Sequence, residues 1–204
     1  MISRRVLLGI AVAGASLPIP RPAGATDGAS PVATISSFYD VLLSTMRDGR
    51  ALGFKGRAAR LTPAIQRSFD LPLMTRLMVG PQWANLAPAV RQQLVAAFTD
   101  FSIAVYANRF DDYAGERFQV DPHPSPANGG AIVHTELVKS DGEPVQIDYL
   151  MRDNDGPWQI IDVYLSGTVS ELATRRSEFS SVMRRGGADA LVDVLQKRTA
   201  QLRG

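Results

Sequence analysis

The apolar residues of this chain change their spacing twice. Up to about residue 110 they recur every three or four positions, from Arg117 to Leu165 they alternate, and after Thr168 the longer interval returns. A strand repeats every two residues and a helix every 3.6, so the chain divides into helices, a run of strands, and helices again. Ser30-Pro31 supplies an N-cap and a proline at the first helical position, and Val32, Ile35, Tyr39, Leu42, Leu43 and Met46 predict a helix over about 31–48. Thr62-Pro63 and Asp70-Leu71-Pro72 each open a short helical piece, the second ending at Gly80-Pro81. Pro88 opens the longest helix, with Val90, Leu94, Ala97, Phe98, Phe101, Val105 and Tyr106 on one stripe.

The alternating runs 131–139, 144–152 and 157–165 predict three strands, with a shorter one over 116–120. The runs are joined by Ser140-Asp141-Gly142-Glu143 and Asp153-Asn154-Asp155-Gly156, and Asp-Gly between such runs marks a hairpin. The second turn lacks the spacing and distal Glu of a calcium loop. Pro122, Pro124, Pro126 and Gly129-Gly130 predict a loop between the first two strands. Thr168-x-x-Glu171 is a capping box for a following helix, which Gly186-Gly187 breaks before a last helix with Leu191, Val194, Leu195 and Leu202. The fold class is α+β, with helices packed on one face of a curved antiparallel sheet.

Residues 1–25 read as an export signal: Arg4 and Arg5, an apolar run from Val6 to Ala13, and Ala23-Gly24-Ala25 as the cleavage site. Ser3-Arg4-Arg5 fits a twin-arginine signal as well as an ordinary secretory one. Residues 26–204 then form a single exported domain. With 22 Lys and Arg against 20 Asp and Glu the formal charge is +2, and losing Arg4, Arg5 and Arg21 makes it −1. A near-neutral domain gives no electrostatic case for nucleic acid.

The catalytic inventory is thin. There is no Cys, and His123 and His134 are the only histidines, so neither a thiol nucleophile nor a metal site is expected, and no cofactor. His134 falls on the strand face opposite Val133, Thr135 and Leu137, where Asp148 or Asp162 on a neighbouring strand would complete an acid–base pair. No Gly-x-Ser-x-Gly elbow or phosphate-binding glycine loop accompanies it. Asp111-Asp112 reads as a solvated helix end. The apolar inventory is richer: Val145, Ile147, Tyr149 and Met151, then Ile161, Val163 and Leu165, oppose Met74, Leu77, Met78, Phe98, Phe101 and Val105. Pattern alone fits a filled core as well as a pocket.

The segment Phe69-Asp70-Leu71-Pro72-Leu73-Met74, continuing to Met78, Gly80 and Trp83, resembles the F-D-x-x-x-M…G-x-x-W signature of the toluene-tolerance (MlaC-like) lipid carriers. Arg91-Gln92-Gln93-Leu94 with Phe98, Phe101 and Tyr106 is similar to the family's long helix. Trp158, Asp162-Val163, Gly167, Ser170, Arg175-Arg176 and Phe179 are similar to its closing segment. The stretch from Leu165 to Ala173 looks most like the hopanoid-associated (HpnM-like) branch, although Gly167-Thr168-Val169-Ser170 is one residue longer than the family's usual Gly-x-Ser turn.

The resemblance implies an NTF2-like cone with extra helices enclosing an apolar cavity. It implies a periplasmic carrier of phospholipid or hopanoid-type lipid that works, as a monomer, between an inner-membrane ABC-type transporter complex and an outer-membrane lipid complex. On it, the tails would meet Met74, Leu77, Met78, Phe98, Phe101, Val105, Ile147, Tyr149, Met151, Ile161, Val163 and Leu165, in a pocket near the top of the usual ~300–1,000 Å³ range. Arg91, Arg175 and Arg176 are candidates to meet head groups or partners, and Trp83 reads as a packing anchor. Two other readings stay open: a small exported NTF2-like enzyme using His134 with Asp148 or Asp162, and a lipid-free adaptor of a membrane transport complex.

Overall fold

The computed structural model describes residues 30–140, 142–153 and 156–203. The segment expected to be an export signal, and the turn positions Asp141, Asn154 and Asp155, lie outside the described residues. Helix α1 (Pro31–Arg47) starts as the sequence predicts, the Ser30 hydroxyl accepting the Ala33 N–H at 3.0 Å. It buries Ile35, Phe38, Tyr39, Leu42 and Met46.

The next helix, α2 (Gly49–Ser68), departs from the expectation of a short piece starting at Thr62. It is already helical when it reaches Pro63, which is exposed together with Ala59, so the carbonyl that loses its N–H partner faces solvent. Gly53, at φ +58°, interrupts its first turns. Arg57 is buried on α2, and no apolar pattern announces it. Its guanidinium donates to the Ala107 and Gly49 carbonyls at 2.7 and 2.8 Å, tying the start of α2 to the end of the long helix over Pro88–Arg109. Gly49 is needed at that junction, because a Cβ would stand 2.1 Å from the Asp111 carbonyl oxygen.

Helix α3 (Leu71–Val79) is capped by Asp70, whose side chain accepts the Leu73 N–H at 2.9 Å. A 3-10 turn over Gly80–Asn85 leads to α4 (Pro88–Arg109), the long helix of the sequence reading.

The sheet contains β1 (Arg117–Val120), β2 (Ser125–Ala127), β3 (Gly130–Val138), β4 (Pro144–Arg152), β5 (Gln159–Leu165) and β6 (Val169–Ser170). The order is β1-β3-β4-β5-β6, all antiparallel, with β2 on β3. Strand β2 lies where a loop was expected. Two of its three residues flank Pro126, which gives no donor, so the segment serves only as a short edge. Between Leu150 and Met151 the β4–β5 register shifts: Leu150 faces Asp162, but Met151 faces Ile160. Ile161 is the extra residue of this bulge.

Helix α5 (Glu171–Arg203) closes the fold in two segments joined at Gly187, which takes φ +69°. The predicted capping box at Thr168 is corrected by two residues. Val169 and Ser170 first pair with β5, so the strand continues, and Ser170 becomes the cap, its hydroxyl accepting the Ala173 N–H at 2.9 Å. Asp162 completes the junction by accepting the Ser170 hydroxyl at 2.5 Å, the Leu172 N–H at 3.0 Å and its neighbour Val163 N–H at 2.8 Å. The turn between β5 and β6 puts Ser166 and Gly167 at φ +52° and +71°. Replacing Asp162 by Ala leaves those buried donors unpartnered and should cost about 2–3 kcal/mol in chemical denaturation, whereas Thr168→Ala should stay within ~0.5 kcal/mol. Equal losses would restore the capping role to Thr168.

Candidate functional site

A cavity opens between the helices and the inner face of the sheet. Its walls come from Ile65, Phe69, Leu71 and Met74, from Phe98, Phe101, Val105 and Tyr106 of α4 with Phe110 just after it, and from Ile147, Tyr149, Val163 and Leu165 of the sheet. Leu172 of α5 completes the apolar lining, and Ser102, Arg109, Glu171 and Arg175 are its polar members. Strand parity places the sheet residues there: Val133 pairs with Tyr149, Thr135 with Ile147, and Tyr149 with Val163, all on the helix side.

Of the residues predicted to meet tails, Met74, Phe98, Phe101, Val105, Ile147, Tyr149, Val163 and Leu165 lie in this lining. Four do not. Met78 and Met151 are packed into the core away from the cavity, and Leu77 is 38% exposed on the outside of α3. Ile161 is buried but sits on the β5 bulge, so Ile160 takes the inward position expected of it. The sequence reading missed Phe69, Tyr106 and Phe110; Tyr106 was on the α4 stripe, and its place was legible there.

The cavity measures about 100 Å³, well below the size expected from sequence. Large aromatic side chains take up much of the space beside it: Phe38 meets Phe69 and Tyr106 edge-on at 5.4 and 5.5 Å, and Tyr106 stacks on Phe110 at 5.7 Å.

One polar seam crosses this wall. The Tyr39 hydroxyl lies 2.6 Å from Thr135 Oγ1 and donates to the Tyr149 hydroxyl at 3.1 Å, fastening α1 to the sheet. Burial pushes the Tyr39 phenol up to about 12, against the opposing pull of the Thr135 and Tyr149 hydrogen bonds. Burial likewise pushes Tyr106 and Tyr149 upward. All three phenols stay neutral, as an apolar cavity wall requires.

The cavity's charged groups gather at one end, between the last turn of α4 and the first turn of α5. Arg175 is held by Glu171 at 3.3 Å and Glu178 at 3.2 Å, and its guanidinium lies 5.3 Å from the centre of the Phe101 ring. Burial works to raise the Glu178 carboxyl, but Arg198 and Arg175 outweigh it and hold it below the usual glutamate range. Of the other arginines singled out, Arg91 lies 5.7 Å over the ring of Trp83 and Arg176 beside Gly80; neither lines the cavity.

The candidate acid–base residues lie on the opposite sheet face. Register puts His134 directly across from Asp148, and Asp162 is spent on the α5 junction. His134 Nε2 lies 2.9 Å from Ser125 Oγ and Nδ1 lies 3.2 Å from Asp148 Oδ1, which is the order of nucleophile, base and acid. Two features argue against acyl transfer. Asp148 Oδ1 lies off the hydrogen-bonding direction of the ring and has no aligned donor among the described residues. The residue after Ser125 is Pro126, which has no N–H to offer an oxyanion. The cluster pins the short strand β2 to β3.

The family model described as MlaC protein matches residues 36–197 of this chain. Among solved structures, a phospholipid-binding protein from Ralstonia solanacearum, in complex with a phospholipid, superposes with a TM-score of 0.75 at 25% sequence identity. The match covers 86% of this chain and 100% of that one. No curated protein matches the chain. Among the described residues, no helix is long and apolar enough to cross a membrane.

The tyrosine seam sets an alkaline limit on stability. Because Tyr39 keeps its proton to about 12 in the fold and to ~10 when unfolded, the stability it contributes is complete below pH ~10 and is lost as pH rises towards 12. Denaturation midpoints across that range should fall steeply for the natural chain and less steeply for Tyr39→Phe, which should itself cost about 1–2 kcal/mol at neutral pH. Parallel alkaline curves for the two proteins would show that the seam does not carry the effect.

Proposed function

The chain belongs to the MlaC family, and on that footing we propose that it is a periplasmic lipid carrier, exported by the signal at residues 1–25. It takes the apolar tails of a phospholipid or hopanoid-type lipid into the cavity between α4, the start of α5 and the sheet. It moves them, as a monomer, between an inner-membrane ABC-type transporter complex and an outer-membrane lipid complex, and performs no chemistry on them. The observation that carries the reading is the cavity itself. Its lining is apolar at the sheet and along α4, and charged only at one end, in a chain whose fold matches that of a phospholipid-bound protein.

Energetics support a carrier of this kind. Each buried methylene contributes ~0.8 kcal/mol, so a sixteen-carbon tail is held by up to roughly 13 kcal/mol. Release into water would be too slow to be useful, so delivery needs a partner that accepts the tail directly. That requirement calls for no catalytic side chain. The Ser125–His134–Asp148 cluster lies across the sheet from the cavity and plays no part in it. Loading requires the walls to part from their resting separation, and the α4–α5 side is the natural place, because the half-buried Val105, Leu165 and Leu172 stand there.

Native mass spectrometry of the chain purified from the periplasm of expressing cells tests this. A discrete mass excess that extraction resolves to a diacyl or hopanoid-type lipid is expected. Filling the cavity with Val105→Trp should reduce the loaded fraction about tenfold while moving the denaturation midpoint little, since Val105 is only half-buried. A chain that remains lipid-free, even after incubation with native membrane vesicles, would overturn the proposal.

A further inference from the structure

The mouth of the cavity carries an imbalance of charge. A surface hollow adjoins the cavity and shares Phe101, Val105, Arg109 and Arg175 with it; Asn108 and Arg198 stand on its far side. Arg175 and Arg198 share Glu178, at 3.2 and 2.8 Å, and Arg175 also holds Glu171. Arg109, the last residue of α4, is exposed and has no carboxylate partner among the described residues. Three guanidiniums thus face two carboxylates, and the surplus charge sits where the apolar lining ends.

We propose that this mouth is an anion site for the phosphodiester of a lipid head group, with Arg109 supplying the surplus charge and Arg175 a fixed second donor. The inference rests on the carrier reading and narrows it, since it selects a phosphate-bearing lipid over a neutral polycyclic one. A guanidinium offers five N–H donors in a planar fork that matches two phosphate oxygens. Arg175 spends one terminal nitrogen on each glutamate, and the Phe101 ring beneath it fixes the plane of the group. Because Phe101 lines the cavity, a tail lying against that ring brings its head group to Arg175 and Arg109. A singly charged phosphodiester neutralises the mouth without breaking either ion pair.

The test compares uptake of two lipids with identical acyl chains, phosphatidylglycerol and diacylglycerol, from vesicles by the full chain. Free phosphate is distinguished by titrating inorganic phosphate and glycerophosphate in the absence of tails. The natural protein should prefer phosphatidylglycerol by about tenfold, the preference should shrink at high salt, and Arg109→Gln should bring the ratio close to one. Arg109→Lys should recover part of it, and Arg67→Gln, on the exposed side of α2, should leave it unchanged. Equal uptake of both lipids by the natural protein would overturn the head-group site and leave the carrier reading standing. So would an Arg109→Gln protein that keeps the preference. Saturable binding of inorganic phosphate without tails would reassign the mouth to free phosphate. Uptake of neither lipid would overturn the head-group site and, with it, the diacyl form of the carrier reading.

Discussion

The antiparallel register of β3, β4 and β5 governs what each side of the sheet does. Pairing Val133 with Tyr149 and Tyr149 with Val163 sends those side chains towards the helices; pairing His134 with Asp148 sends the polar set the other way. A slip of one residue would exchange the two sets and put a carboxylate against Phe98 and Phe101. The polar seam guards against this, because the Tyr39 hydroxyl finds Thr135 and Tyr149 only in the observed register. Gly130 adds a steric check, since a Cβ there would stand 2.1 Å from the Met151 carbonyl oxygen. Register also carries the bulge at Ile161, which turns Asp162 towards β6 and lets it anchor the start of α5. The mouth of the cavity is therefore positioned by a strand irregularity two residues from its wall.

How much of this was legible in the sequence depends on whether a local rule was in force. Helix starts at Ser30-Pro31, Asp70-Leu71-Pro72 and Pro88 were legible because caps and prolines act within three or four residues. Strands β3 and β4 were legible from alternation. The first half of α2 was not: Gly49, Gly53 and Gly56 speak against a helix, and its buried face includes Arg57, whose partners are carbonyls remote in sequence. Tertiary contact overrode propensity there. Strand β2 was hidden by its prolines, and the Thr168 box was displaced because pairing with β5 took up the two residues after it.

The same distinction applies to the site. Cavity residues on regular elements, such as Phe98, Phe101 and Val105 on α4 or Ile147 and Tyr149 on β4, follow from period alone. Ile161 fails because a bulge shifts parity and leaves no mark in composition. Leu77 fails because α3 turns its Leu71, Met74, Thr75 and Met78 inward, and a residue three after Met74 falls at the rim of that stripe. Met78 and Met151 face inward but pack where the cavity does not reach. Periodicity reports which side a residue faces, not how deep the void runs.

On the carrier reading, the lining also bears on how a tail would be let go. A sixteen-carbon tail would gain up to roughly 13 kcal/mol from burial, so a partner that accepts it must replace most of that burial directly. Val105, Leu165 and Leu172 are half-buried on the α4–α5 side, and Arg109 and Arg175 stand at the same end of the lining. Tail and head group would therefore leave by one side of the fold, where apolar lining gives way to charge.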